Sequence, residues 1–186
     1  MRPESECPAP RTGHRSREFW QSPRLSMIFV PGIRLATAAD ALAIADMSRE
    51  YIEHGLGWSW TPARIAAAIQ EQSTNVAVIH QSGGMVGFGI MHYGERAAHL
   101  ALLAVHPDQR RRGLAAQLLL WLEKCADTAG IERIRVEARS DNPAAVAFYQ
   151  KHGYVQTDRI AGYYRGVLDA VRLEKTIRIA VGESRS

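Results

Sequence analysis

Residues 100–105 (Leu-Ala-Leu-Leu-Ala-Val) run through a basic turn, His106-Pro107-Asp108-Gln109-Arg110-Arg111-Arg112-Gly113, into an apolar-rich stretch at 116–124. The first stretch reads as a buried strand and the last as a helix. The join is therefore strand, glycine-containing turn, helix N-terminus. Such a join binds anions, because the first backbone N–H groups of a helix lack an intrahelical partner and the helix dipole is positive there. Arg110, Arg111 and Arg112 add charge where a pyrophosphate would sit, and Gly113 lets the backbone approach a phosphate closely. The spacing is neither that of a Walker loop nor that of a dinucleotide fingerprint.

The remaining chain reads as sheet and helices around that join. Residues 33–36 alternate like a first strand, and Thr37 can cap a helix over 38–54 that Gly55 ends. After Gly57-Trp58-Ser59-Trp60, the pair Thr61-Pro62 opens a second helix to about residue 72. Alternation predicts strands over 75–80, 85–93 and 98–105, with a hairpin turn at 81–84. Gly87 and Gly89 predict a bulge or a close neighbour. The long helix is broken by Gly130 and followed by a strand over 134–138. This strand–helix–strand unit implies a parallel pair, with the anion site at the C-terminal end of its first strand. Asn142-Pro143 opens a further helix that Gly153 stops; a strand near 155–159, a loop through 162–166 and a strand over 167–176 complete the pattern.

Composition narrows the class. With 186 residues, 46% of them hydrophobic, the chain suits one core. Residues 1–26 are rich in Arg, Ser, Pro and Glu without periodicity, which predicts a disordered tail, a domain over 27–180 and a short C-terminal tail at 181–186. The tail lacks the apolar core of a signal peptide, and its pair Phe19-Trp20 is a candidate docking arm. The net charge of +4 is concentrated in the arginine turn and the tail, so no long basic face with interleaved aromatics argues for nucleic acid. No apolar run of about 18 residues predicts a membrane span. Cys7 and Cys125 form neither a disulfide framework nor a metal spacing, which makes a reducing cytoplasm the expected compartment. The scattered histidines, including His92, His99 and His106, read as surface or core residues, and no metal is expected.

Two motifs at the right separation resemble one family. Arg110-x-x-Gly113-x-Ala115 after an apolar strand matches the Q/R-x-x-G-x-G/A signature of the GNAT superfamily of N-acetyltransferases. About thirty residues on, Asn142-x-x-Ala145-x-x-Phe148-Tyr149-x-x-x-Gly153-Tyr154 resembles that superfamily's second conserved segment. The resemblance spans roughly residues 32–178. It implies a mixed α/β GNAT fold, with a central, mostly antiparallel sheet splayed at a parallel pair and helices on both faces. It also implies acetyl-CoA as co-substrate, with backbone groups of Leu103, Ala104 and Val105 along the pantetheine arm and the amides of Arg111, Arg112, Gly113, Leu114 and Ala115 on the pyrophosphate. Asn142 can serve both as helix cap and as partner of the pantetheine amide, and the phenol of Tyr149 as proton donor to the departing thiolate.

The acceptor is read less directly. Val136-Glu137-Ala138-Arg139-x-x-Asn142 resembles a stretch of the RimI-like protein N-terminal acetyltransferases, which implies Glu137 as general base; pairing of Glu137 with Arg135 or Arg139 is the structural alternative. Tyr163-Tyr164 followed by Asp169-Ala170 also resembles that group, where such tyrosines line the peptide entrance. Leu173 and a short intervening loop depart from its pattern, as does Gly57-Trp58-Ser59-Trp60, whose Trp58 and Trp60 are candidate walls of an acceptor pocket. Neutralising an α-amine of pKa about 7.7–8.0 at pH 7 costs about 1 kcal/mol, against roughly 4–5 kcal/mol for a lysine side chain. A single modest base therefore suits an N-terminal α-amine. The alternatives are a small amine such as a polyamine, amino acid or aminoglycoside, or a non-catalytic acyl-CoA-binding module. The sequence leaves a homodimer open.

Overall fold

The computed structural model describes residues 32–81 and 83–177. The tails at 1–26 and 181–186, with Cys7 and Phe19-Trp20, lie outside the described residues. The elements are β1 (Ile33–Leu35), α1 (Ala41–Tyr51), α2 (Pro62–Gln70), β2 (Thr74–Gln81), β3 (Gly84–Tyr93), β4 (Ala97–Val105), α3 (Leu114–Thr128), β5 (Arg133–Arg139), α4 (Pro143–Lys151), β6 (Val155–Tyr164) and β7 (Leu168–Thr176). Seven strands form one sheet in the order β1-β2-β3-β4-β5-β7-β6. Every neighbouring pair is antiparallel except β4 and β5. This is the mixed, mostly antiparallel sheet with one parallel pair that the sequence predicts.

Helices cover both faces. Leu118, Leu119 and Leu122 of α3 pack with Leu100, Val136 and Leu173 on one side, joined by Tyr149 of α4. On the other, Ile44 of α1 and Ile65 of α2 pack with Phe88, Ile90 and Leu102. Each such aliphatic side chain contributes roughly 1.5–3 kcal/mol by burial. Cys125 is fully buried in the first of these layers. Gly87 and Gly89 of β3 answer to close neighbours: a Cβ on Gly89 would meet Leu122 Cδ1 at 2.7 Å, so α3 lies almost on the β3 backbone.

Two elements differ from expectation. The helix predicted over 38–54 is a 3-10 turn followed by α1, which ends at Tyr51. Asp40 sets that start: its carboxylate accepts from both terminal nitrogens of Arg34 at 2.8 Å and from Thr37 N at 2.7 Å, tying the chain to β1 before a regular helix can form. The loop predicted through 162–166 is largely strand, since β6 continues to Tyr164. Asp169 closes this hairpin by accepting from Gly162 N at 3.0 Å and Arg159 Nε at 3.2 Å.

The splay has a local cause. β4 pairs with β5 only over residues 97–100 and 133–136, after which the strands part. In the same place the register between β3 and β4 slips: Met91 faces Leu100 and Ile90 faces Leu102, leaving Ala101 as an extra residue. A one-residue slip reverses the faces of all side chains beyond it. Ala98 and Leu100 accordingly join the α3 layer, while Leu102 and Ala104 join the α1/α2 layer. From Ala101 onward the strand edge that would have paired with β5 is turned to the gap between them.

Candidate active site

The gap opens into a cleft of about 1350 Å³. One wall is β4, through Leu103, Ala104 and Val105, and the other is β5 and α4, through Glu137, Asn142 and Tyr149. Arg110, Arg111, Gly113, Leu114 and Ala115 stand at one end. Tyr163 and Tyr164, from the end of β6, line it together with Trp60, from the loop before α2. Two of the sequence candidates stand elsewhere. Arg112 does not line the cleft; its Nη1 donates to Gln109 Oε1 at 2.9 Å. Trp58 does not line it either, and is partly exposed under the guanidinium of Arg49 at 5.1 Å. Trp60 instead is buried, its ring stacked with that of His92 at 6.0 Å.

The anion end is built as its chain positions require. Arg111 and Gly113 both adopt positive φ, 63° and 79°, which folds the turn tightly onto the start of α3. Gln117 N donates to Gly113 O, the first bond of that helix, so the N–H groups before it remain for an anion. Arg110 Nε reaches back to Val105 O at 3.3 Å, and its head group lies 5.9 Å over the ring of Tyr51. Asn142 caps α4, its Oδ1 accepting from Ala145 N at 3.1 Å, and keeps its amide N–H groups for a carbonyl in the cleft. These residues fit a cofactor with a pyrophosphate at one end and an amide-bearing arm between β4 and β5.

One carboxylate dominates the part of the cleft lined by β5. Glu137 has a side chain 3% exposed, and it accepts from His99 Nε2 at 2.6 Å and Arg172 Nε at 2.8 Å, with Arg135 Nε 3.2 Å away. Burial raises its pKa, but these donors and the charges of His99 and Arg135 outweigh burial and hold it at about 2. An ionised carboxylate only accepts, so His99 Nε2 must bear the hydrogen, and Nδ1 is the ring's acceptor in the neutral form. Both side chains line the cleft. His99 is thus no plain surface or core histidine. Tyr149 is 7% exposed, wedged edge-on against Phe148 and Tyr154, and burial raises its pKa, so the phenol keeps its proton. Tyr164 Oη donates to the main-chain oxygen of Glu137 at 3.1 Å.

A second carboxylate shapes the rim. Glu53, 9% exposed, takes Ser59 N at 2.7 Å, Trp60 N at 3.1 Å, Ser48 Oγ at 3.1 Å and the hydroxyl of Ser59. It therefore fixes the loop that presents Trp60. Arg139 holds the other side of the same loop, donating through Nη1 to His54 O at 2.7 Å and Ile52 O at 3.3 Å while Asp141 grips its remaining nitrogens.

A splayed parallel pair, a basic turn at the mouth of the cleft and ionisable side chains between the strands make an arrangement that fits a phosphate-bearing acyl donor. The chain belongs to the acetyltransferase (GNAT) domain family, which matches residues 43–176. Among curated proteins it is 33% identical over 76 residues to the N-alpha-acetyltransferase MAK3 of Arabidopsis thaliana, covering 41% of this chain and 40% of that one. It is 34% identical over 92 residues to an acetyltransferase of Yersinia enterocolitica, covering 50% and 65%. The chain thus spans less than two thirds of the length of these relatives. Among solved structures, the ribosomal-protein-S18-alanine N-acetyltransferase of Escherichia coli superposes with a TM-score of 0.70 at 27% identity, covering 83% of this chain and 97% of that one. Among the described residues, no helix is long and apolar enough to cross a membrane.

Proposed function

We propose that this chain moves the acetyl group of acetyl-CoA directly to the α-amine at the N-terminus of a protein or peptide. The supporting observation is the pair Tyr163-Tyr164 at the end of β6, which lines the cleft beside Glu137 and is tied to that strand through the Tyr164 hydroxyl. Likeness to an S18-alanine N-acetyltransferase and to an N-alpha-acetyltransferase points the same way. The chemistry agrees. A carboxylate held at about 2 is far too weak a base for an ammonium group, and an α-amine needs little help to be neutral near pH 7.

The residues then divide the work. The turn at Arg110, Arg111 and Gly113 and the first amides of α3 hold the pyrophosphate, and Asn142 donates to the pantetheine arm. The free edge of β4 beyond Ala101 offers backbone N–H groups to the charge that develops on the thioester oxygen. His99 Nδ1 takes the proton of the attacking amine. Glu137 fixes the tautomer and orientation of His99 and stabilises its charged form, as a carboxylate does behind a catalytic imidazole. Tyr149 donates to the departing thiolate.

A small-amine acceptor is the second reading, favoured by the aromatic ring of Trp60 among the residues that line the cleft. CoA release decides between them when measured with lysine-free peptides bearing free α-amines and, separately, with polyamines, amino acids and aminoglycosides. Turnover of the peptides supports the N-terminal reading; turnover of the small amines alone would overturn it.

A further inference from the structure

Among the described residues, the carboxylates at the acceptor end are already engaged. Glu53 is held by Ser48, Ser59 and Trp60, Glu137 by His99 and Arg172, and Asp141 by Arg139. Two guanidinium groups in the same wall have no such partner. Arg165 follows Tyr164 at the tip of the β6–β7 hairpin, in a left-handed conformation with φ 54°. Its head group rests against Gly57, where an added Cβ would lie 3.2 Å from Nη1. Arg64, in the first turn of α2, lies 4.0 Å over the Trp60 ring and reaches Ser59 O with Nη1 at 3.5 Å. Neither arginine forms an ion pair among the described residues, and both line the cleft. The segment 57–60 is therefore flanked by one cation from α2 and one from the hairpin.

The backbone shows that this placement is built. Left-handed φ is costly for a residue with a β-carbon, and here it is held by Gly166 N donating to Gly162 O at 2.8 Å and Val167 N to Tyr164 O at 3.0 Å. Gly57 in turn, itself at φ 75°, leaves room for the guanidinium that any side chain there would crowd. Two elements far apart in sequence thus cooperate to hold a positive charge beside the tyrosines.

We infer that the acceptor bears a carboxylate close to the amine that is acetylated: an N-terminal peptide with an acidic side chain at its second or third residue. The inference deepens the N-terminal reading and rests on it. An extended peptide advances about 3.3 Å per residue, so those side chains lie within about 10 Å of the reacting amine. The same two cations disfavour an acceptor with a second positive charge near its amine, such as a polyamine.

The test uses the full chain and three peptides of equal length that share their first residue and carry Asp-Asp, Ala-Ala or Arg-Arg at positions two and three. The acidic peptide is expected to exceed the neutral one in kcat/KM by about tenfold and the arginine one by about a hundredfold, with the gap shrinking as salt rises. Arg165→Glu is expected to reverse the order of the acidic and arginine peptides, and Arg165→Gln to flatten it; acetyl-CoA binding reports that each variant is folded. An arginine peptide equal to or better than the acidic one, or an order unchanged in both folded variants, overturns the inference. Aspartate, glutamate and spermidine are assayed alongside. If small amines alone turn over, the N-terminal reading fails by itself. The charge inference then stands when the dicarboxylic amino acids outrun spermidine and falls when they do not.

Discussion

Tyr149 and His99 are the residues on which the proposed chemistry turns, and each makes a separable prediction. Tyr149→Phe removes one hydroxyl from a buried ring and leaves its packing against Phe148 and Tyr154 intact. Turnover should fall by roughly 10²-fold or more, within the range of general acid catalysis, while acetyl-CoA affinity stays the same. CoA release and a binding titration measure the two quantities, and normal turnover would remove Tyr149 from the mechanism. The pair His99–Glu137 distinguishes relay from direct base. If His99 takes the proton, His99→Gln should cost about 10²-fold or more in kcat/KM and Glu137→Gln less, since the imidazole survives without its orienting partner. The opposite ranking would return the base role to Glu137. Imidazole added to a His99→Gly variant should restore part of the lost rate at neutral pH and little of it in acid, where the added imidazole is protonated.

At the scale of elements, the loop between α1 and α2 is held by a carboxylate that no motif announces. Glu53→Ala would strip the half-buried Ser59 N and the buried Trp60 N of their acceptor, and an orphaned buried donor such as Trp60 N costs about 1–3 kcal/mol. A lowered Tm and a raised acceptor KM are expected, with acetyl-CoA KM little changed; a Tm equal to that of the parent chain would show that the loop does not depend on Glu53. Such bonds explain what could and could not be read beforehand. Thr61-Pro62, Asn142-Pro143 and Gly153 act on backbone within a few residues of themselves, so the elements they open or close were legible from local chemistry. The arginine turn was legible for the same reason. His99 and Glu137 stand 38 residues apart, on strands paired only over residues 97–100 and 133–136. Their contact depends on that register, which the apolar pattern of β4 hides because Ala101 inverts it midway. Arg165 against Gly57 is longer in range still. Trp58 and Trp60 looked equivalent because the segment carries no signal for which indole stacks on His92.

Across the whole molecule, two buried carboxylates tie the sheet together, and both titrate unusually low. Asp40 joins β1 to α1 through Arg34 and Thr37, and hydrogen bonds from Arg34 are the main reason its carboxyl lies well below the usual range, against an opposing effect of burial. Glu137 joins β4, β5 and β7 through His99 and Arg172 and titrates near 2 in place of 4.5. A carboxylate whose pKa is lower in the folded than in the unfolded chain adds stability that is complete above the unfolded value. That stability is lost as pH falls through the folded one. For Glu137 the window therefore runs from about 4.5 down to about 2, and a shift of this size corresponds to about 3 kcal/mol. Glu137→Gln keeps the shape and removes the titration. Urea unfolding of the parent chain and the variant, followed from pH 7 to pH 2.5, should give stabilities that differ most above pH 5 and converge in acid. Parallel curves would mean that the ion pairs around Glu137 serve orientation alone. Convergence would mean that the groups which aim His99 into the cleft also hold three strands together at the point where the sheet opens.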